Sequence, residues 1–113
     1  MHEYSLVQAL LQQVERQARA HRATAVHRLE VSIGELAGVE VALLETAYAT
    51  FRERTLCAGA ELRVRQVPAR WICPDCGREL RRGEALRCAG CGMPARLQAG
   101  DEMTLDRIEM EVP

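Results

Sequence analysis

Two Cys-x-x-Cys pairs, Cys73-Pro74-Asp75-Cys76 and Cys88-Ala89-Gly90-Cys91, stand eleven residues apart, and each is followed at once by glycine, Gly77 and Gly92. One such turn aims two thiolates at one ion, and two turns complete a tetrahedron of soft sulfur ligands. The glycine after each pair can take φ > 0, which lets the backbone curl under the sulfurs and point N–H groups at them. Four thiolates with no open position are the set that structural Zn2+ prefers. Two disulfides are the alternative, but no signal peptide marks an oxidising compartment, and a redox dithiol needs one pair, not two facing ones. Cys73, Cys76, Cys88 and Cys91 are therefore expected to hold zinc.

That expectation decides how the chain divides. From Pro74 to Gly92 the large apolar side chains are Leu80 and Leu86, too few for a core, so this segment folds on its ion. Elsewhere the supply is ordinary: the 113-residue chain is 48% apolar, enough for one modest core. No run of about eighteen apolar residues exists, and no membrane span is expected. Cys57 stands apart from the other cysteines and reads as a small half-buried hydrophobe. Free thiols beside a thiolate site point to a reducing cytoplasm.

Net charge is −1 but unevenly spread. Residues 63–96 carry eight arginines against three acids, a balance of +5, and the rest of the chain balances at −6. A basic zinc ribbon can bind nucleic acid. Against that, a four-thiolate Zn2+ site is formally −2, and Trp71 is the one aromatic near enough to stack a base. Arginines that solvate a coreless loop are the preferred reading; a nucleic-acid-binding ribbon, or a structural adaptor, is the alternative.

Along the chain, Leu6, Val7, Leu10, Leu11, Val14 and Ala18 follow the i, i+3, i+4 spacing of a buried stripe, predicting a helix from about residue 4 to 21. From Ala25 the period becomes two: His27, Leu29, Val31 and Ile33 on one face, Arg28, Glu30 and Ser32 on the other. Leu43, Leu44, Ala47, Tyr48 and Phe51 predict a second helix over about 40–54. Leu62 and Val64 mark a second strand that ends at Pro68. Pro68-Ala69-Arg70 then reads as a short stiff linker, and Leu80 to Leu86 as a turn between two short antiparallel arms. Met103 and Leu105 share a strand face, while Ile108, Met110 and Val112 fall on the other parity. A bulge at Asp106-Arg107 reconciles them.

The cysteines thus interrupt two strands of one sheet. The expected class is α+β: two helices packed on a three-stranded β-sheet, with an inserted four-cysteine zinc-ribbon domain. Residues 1–68 plus 101–113 form one domain and 69–100 the other. Strand order is not decided by the pattern. No phosphate loop, nucleophile–base set or open metal site is present, so an enzyme is not expected. His21, at a helix end, and His27, in a strand, read as capping or core residues.

Met1-His2-Glu3 offers an amine, an imidazole and intervening backbone amides within one small chelate. With those amides deprotonated, four nitrogens can lie in a plane, a set that Ni(II) and Cu(II) favour. Initiator methionine is removed mainly before small residues, so bulky His2 suggests that Met1 stays. Most chain starts are frayed and inert, and that reading stands beside the chelate.

Met1-His2-Glu3 before an amphipathic helix, Val31-Ser32-Ile33-Gly34-Glu35-Leu36, the Gly38-Val39 turn, Gly59-Ala60-Glu61-Leu62 and the double Cys-x-x-Cys before a last strand together resemble the HypA/HybF proteins, the nickel metallochaperones of [NiFe]-hydrogenase maturation. The resemblance runs, in order, over essentially the whole chain. It implies a Ni2+ cargo at Met1, His2 and Glu3, a structural Zn2+, and delivery to the hydrogenase large subunit with a HypB-type GTPase. A homodimer is a further possibility. Tyr4 stands where family members often carry an aliphatic residue, which leaves the ligand atoms untouched.

Overall fold

The apolar stripe of the first twenty residues folds as helix α1 (His2–Ala20) in the computed structural model, which describes residues 2–113. Met1, one of the expected nickel ligands, lies outside the described residues. Val7, Leu10, Val14 and Ala18 are buried at helical spacing, with Leu6 and Leu11 packed at the margins. The helix begins two residues before the expected start. It ends without a glycine: Arg22 takes φ 57°, the Ala23 N–H donates to Ala18 O at 2.8 Å and the Arg22 N–H to Arg19 O at 3.1 Å. That is the paired-bond ending in which a left-handed residue satisfies the last carbonyls.

Strand β1 (Ala25–Gly34) is central. It pairs in parallel with β2 (Glu61–Val67) and antiparallel with β5 (Met103–Glu111), giving the order β2-β1-β5. β1 and β2 run parallel because helix α2 (Val41–Phe51) crosses between them. Both helices lie on one face of the sheet. Leu29, Val31 and Ile33 are buried beneath them as expected, but His27 is not: it is exposed, and Val26 is buried. The pairing with β5 slips between Val26 and Arg28. The extra residue turns the parity over, and His27 bulges outward to within 3.7 Å of Glu111.

The bulge expected in β5 is present, since register slips between Arg107 and Leu105 and leaves Asp106 unpaired in the ladder. Asp106 uses its freedom to accept hydrogen bonds from the Ser32 hydroxyl and, at 3.0 Å, from Thr104 Oγ1. The face turned away from the helices is polar. Arg28 stands opposite Glu61 of β2 and Glu109 of β5, 2.9 Å from the latter, so charge alternates across the three strands.

Helix α2 is shorter than expected and its stripe is narrower. Leu44, Ala47 and Tyr48 are buried, whereas Leu43 is 45% exposed, one step outside that stripe. Phe51, at the edge, meets the Tyr4 ring edge-on with centroids 5.4 Å apart. An aromatic at position 4 therefore staples the first turn of α1 to the last turn of α2. After α2, Cys57 is buried and the Tyr48 hydroxyl donates to Ala60 O at 2.9 Å, which closes that end of the core.

Between β2 and β5 the chain leaves the sheet. The expected stiff linker runs straight into β3 (Arg70–Ile72), which pairs antiparallel with β4 (Arg96–Ala99). The expected arms over 80–86 do not form. Bridges join Ile72 to Glu79 and Arg87 to Pro94 instead, so each Cys-x-x-Cys closes its own small hairpin. The molecule extends 56 × 30 × 17 Å with a radius of gyration of 18.0 Å, against about 13 Å for a compact chain of this length. The four-cysteine ribbon projects from the body. Among the described residues, no helix is long and apolar enough to cross a membrane.

Candidate metal centre

The two hairpins of the ribbon are built alike. The Cys73 N–H donates to Arg78 O and the Cys88 N–H to Met93 O, each at 2.9 Å. The Gly77 N–H returns to Cys73 O at 2.9 Å and the Gly92 N–H to Cys88 O at 2.8 Å, with glycine φ of 78° and 71°. These bonds need the backbone curl that only a left-handed residue supplies, which is why glycine follows each pair. The result brings all four predicted cysteines together: their Sγ atoms lie within 4.8 Å of one another, and Cys76 and Cys88 are 3.9 Å apart. A tetrahedron with metal–sulfur arms of about 2.3 Å has edges of about 3.8 Å, so this set can hold one metal ion. Cys73 and Cys88 are buried, Cys76 and Cys91 exposed, and all five cysteines are free of disulfides.

Four thiolates this close repel one another, and their ionisation is shared unevenly. The Cys91 backbone N–H, followed by the Arg78 guanidinium, draws Cys88 down to about 6. Cys91 is pushed up, first by its hydrogen bond to Cys76. Arg78 also holds Glu84 at 2.7 Å, so one arginine joins the Cys88 thiol to an acid behind it. Of the ribbon's other arginines, Arg70 pairs with Glu79 and Arg82 with Glu35, while Arg87 donates to Gly92 O.

At the other end of the molecule His2 is exposed on the first turn of α1. Glu3 beside it is only 8% exposed, its carboxylate accepting the Glu40 N–H at 3.1 Å. Glu40 is the N-cap of α2, and its own side chain makes no capping hydrogen bond. Glu3 thus plays, from the other helix, the part that a glutamate in the first turn plays in a capping box. The Glu40 N–H, and after it Glu3's own N–H, hold the Glu3 carboxyl below the usual carboxylate range. Of the lone histidines, His21 Nδ1 donates to Gln17 O at 2.9 Å and so caps α1.

Sequence reasoning missed Glu35. Its backbone N–H donates to Val67 O at 2.8 Å, while its carboxylate accepts the Ala69 N–H at 2.8 Å and Arg82 Nη1 at 2.8 Å. The Arg82 hydrogen bonds, ahead of the Ala69 N–H, bring its carboxyl down to about 2. No local signal announces a partner forty-seven positions away. The Cβ of an alanine at 34 would overlap the Gly100 carbonyl, so strand β1 passes the ribbon's exit at backbone contact distance.

Comparison with known proteins agrees with this arrangement. Residues 1–110 match the family model described as "HypA: Hydrogenase/urease nickel incorporation, metallochaperone, hypA". The chain is 42% identical over 113 residues to a hydrogenase maturation factor HypA of Shewanella sp. (strain MR-7), covering 98% of this chain and 96% of that one. It is also 42% identical over 114 residues to the HypA of Aquifex aeolicus (strain VF5), with 99% of each chain covered. The solution structure of the Ni metallochaperone HypA from Helicobacter pylori superposes with a TM-score of 0.73 at 30% identity, over 98% of both chains. Another solution structure of a HypA protein reaches 0.81 at 30% identity, over 100% of this chain and 98% of that one. A four-cysteine ribbon set between two strands of an α+β body, matched over its length in sequence and in shape, belongs to the HypA family of nickel-incorporation metallochaperones.

Proposed function

We propose that this protein binds Ni2+ at Met1, His2 and Glu3 and delivers it during assembly of the [NiFe]-hydrogenase metal centre, with Zn2+ held by Cys73, Cys76, Cys88 and Cys91. It is a carrier rather than an enzyme. Its expected partners are a HypB-type GTPase and the hydrogenase large subunit. The observation that carries the nickel reading is the layout at the start of α1. The first N–H groups of a helix have no carbonyl partner within it, so their deprotonation for a planar nitrogen chelate costs no helical bond. The positive end of the helix also favours the anionic amides so formed. His2 is exposed there, while the Glu3 carboxylate is drawn inward to Glu40. Glu3 is therefore a backbone ligand whose side chain steadies the site.

Zinc suits the ribbon because four soft sulfurs at tetrahedral spacing leave no position for water or substrate. It is bolted in for shape, whereas nickel is held by groups that protons displace. Because protons compete with the metal for amine, imidazole and amide nitrogens, nickel binding weakens as pH falls. Residues 69–100 fold on the zinc, and residues 1–68 plus 101–113 fold on their own core. The pairs Arg70–Glu79 and Arg78–Glu84 inside the ribbon, and Arg82–Glu35 between ribbon and body, weigh against a nucleic-acid surface, because a paired guanidinium group is not free for phosphates.

Calorimetry with Ni2+ on untagged, zinc-loaded protein at mildly alkaline pH tests the reading. One nickel per chain is expected, lost in His2→Ala with zinc content and far-UV dichroism intact. Unchanged stoichiometry and affinity in His2→Ala refute it.

A further inference from the structure

The ribbon is attached to the body in an unusual way. Its two strands pair with each other and add nothing to the three-stranded sheet. Two chain crossings join the parts: residues 67–70 on the way out and residues 99–102 on the way back. At the second, Gly100 has φ 104°, and a Cβ there would come 2.6 Å from Ala69 Cα. The crossings thus touch backbone to backbone, and Leu36 N–H donates to Gly100 O at 2.7 Å beside them. Such a neck has little side-chain bulk to resist rotation. A cleft lined by Val39, Val41, Val67 and Arg82 opens next to it, so the ribbon is not packed down on the body at that point.

Among the described residues, every side-chain hydrogen bond or ion pair that spans neck and ribbon to the body ends on one carboxylate, that of Glu35. One oxygen takes the Ala69 N–H at the base of the ribbon. Both oxygens take the guanidinium of Arg82, which lies in the Arg81-Arg82-Gly83 turn between the two hairpins. A carboxylate gripping a lever at its base and again farther along fixes a direction, where a single contact would leave it free to turn. The fork of an arginine also matches a carboxylate in one orientation, which adds angular definition.

We propose that Glu35 is a positioning residue: it latches the ribbon in one orientation about the Gly34–Gly100–Ala69 neck, and its release lets the ribbon swing as a unit. The Arg82 side chain is 70% exposed and that of Glu35 38%, so the latch lies within reach of a docking protein. A partner that supplies a carboxylate to Arg82 opens it by exchange, because the guanidinium leaves one anion for another. The latch goes beyond the nickel reading and does not depend on it.

Residual dipolar couplings on 15N-labelled, zinc-loaded, nickel-free full-length protein test this directly. In the unaltered protein, ribbon and body share one alignment. In Glu35→Ala the body couplings hold, while those of the ribbon shrink by roughly a sixth or more, because couplings scale with the root of a squared order parameter that falls from about 0.85 for rigid backbone to about 0.6 or below for mobile backbone. Arg82→Ala loosens the ribbon in the same sense. Glu79→Ala breaks an ion pair internal to the ribbon and leaves the shared alignment in place. Unchanged ribbon couplings in both Glu35→Ala and Arg82→Ala overturn the proposal. Equal loosening in Glu79→Ala also overturns it, since loss of any ribbon charge would then suffice. Loss of zinc from Glu35→Ala places the residue in the ribbon's own stability and counts against a latch. Because nickel is absent throughout, none of these results bears on the His2 reading.

Discussion

Stripping the metal from the four cysteines with a chelator and a thiol reductant at neutral pH should unfold the ribbon and spare the body. Within residues 69–100 the buried side chains are Cys73, Cys88 and Leu80. Leu80 is the one large apolar group among them, and its burial contributes about 1.5–3 kcal/mol. Ordering backbone costs about 1–2 kcal/mol per residue, so a single leucine cannot hold some thirty residues in place. Zinc binding is coupled to folding in such a segment and supplies favourable free energy that its side chains do not. The body differs, because Val7, Leu10, Val14, Leu29, Val31, Ile33, Leu44 and Tyr48 all lie outside the ribbon in one buried cluster. Both helices, of 19 and 11 residues, belong to that body, whereas the ribbon's strands have 3 and 4 residues. Ellipticity at the helical minimum should therefore stay nearly constant. Amide resonances of residues 70–99 should collapse to the narrow range of unfolded chain while those of β1, β2 and β5 keep their dispersion. Cys73→Ser combined with Cys91→Ser should give the same pattern without a chelator. If helical ellipticity falls together with the ribbon resonances, the body has no core of its own and the reasoning fails.

Two other perturbations address the neck. Gly34→Ala drives a methyl into the Gly100 carbonyl and should cost about 1–3 kcal/mol in urea unfolding of the body, as overpacking does. Gly59→Ala, with open space at its Cβ, should instead be neutral or stabilise by about 0.4–1 kcal/mol; equal losses at both sites would discount the close approach. The Glu35 carboxyl, depressed to about 2 from 4.5, gives stability that is complete above the unfolded value and lost as pH falls through the folded one. Its side-chain 13C carboxyl shift should accordingly stay at the ionised position from pH 7 down to 4.5, where a solvated glutamate is half protonated. A midpoint near 4.5 would show that the contact with Arg82 does not persist in solution.

Much of this molecule is written in local spacing. The cluster of four cysteines is legible because a Cys-x-x-Cys turn and its glycine settle their own geometry within a few residues, and the hairpins repeat it. The stripe of α1 and the parity change that betrays the Asp106 bulge are readable for the same reason: one periodicity, sampled along one element. What spacing alone could not decide was which neighbour each element meets. His27 lost its inward place to Val26 because β1 slips against β5, and the slip is a property of the pair. Leu43 fits the helical pattern as well as Leu44 does, and only the seating of α2 on the sheet leaves it outside. Strand order, the parallel pairing of β1 with β2, the capping of α2 by Glu3 and the hold of Glu35 on Arg82 join residues thirty or more positions apart. Such contacts are chosen by packing and chain closure, which no short window of sequence encodes.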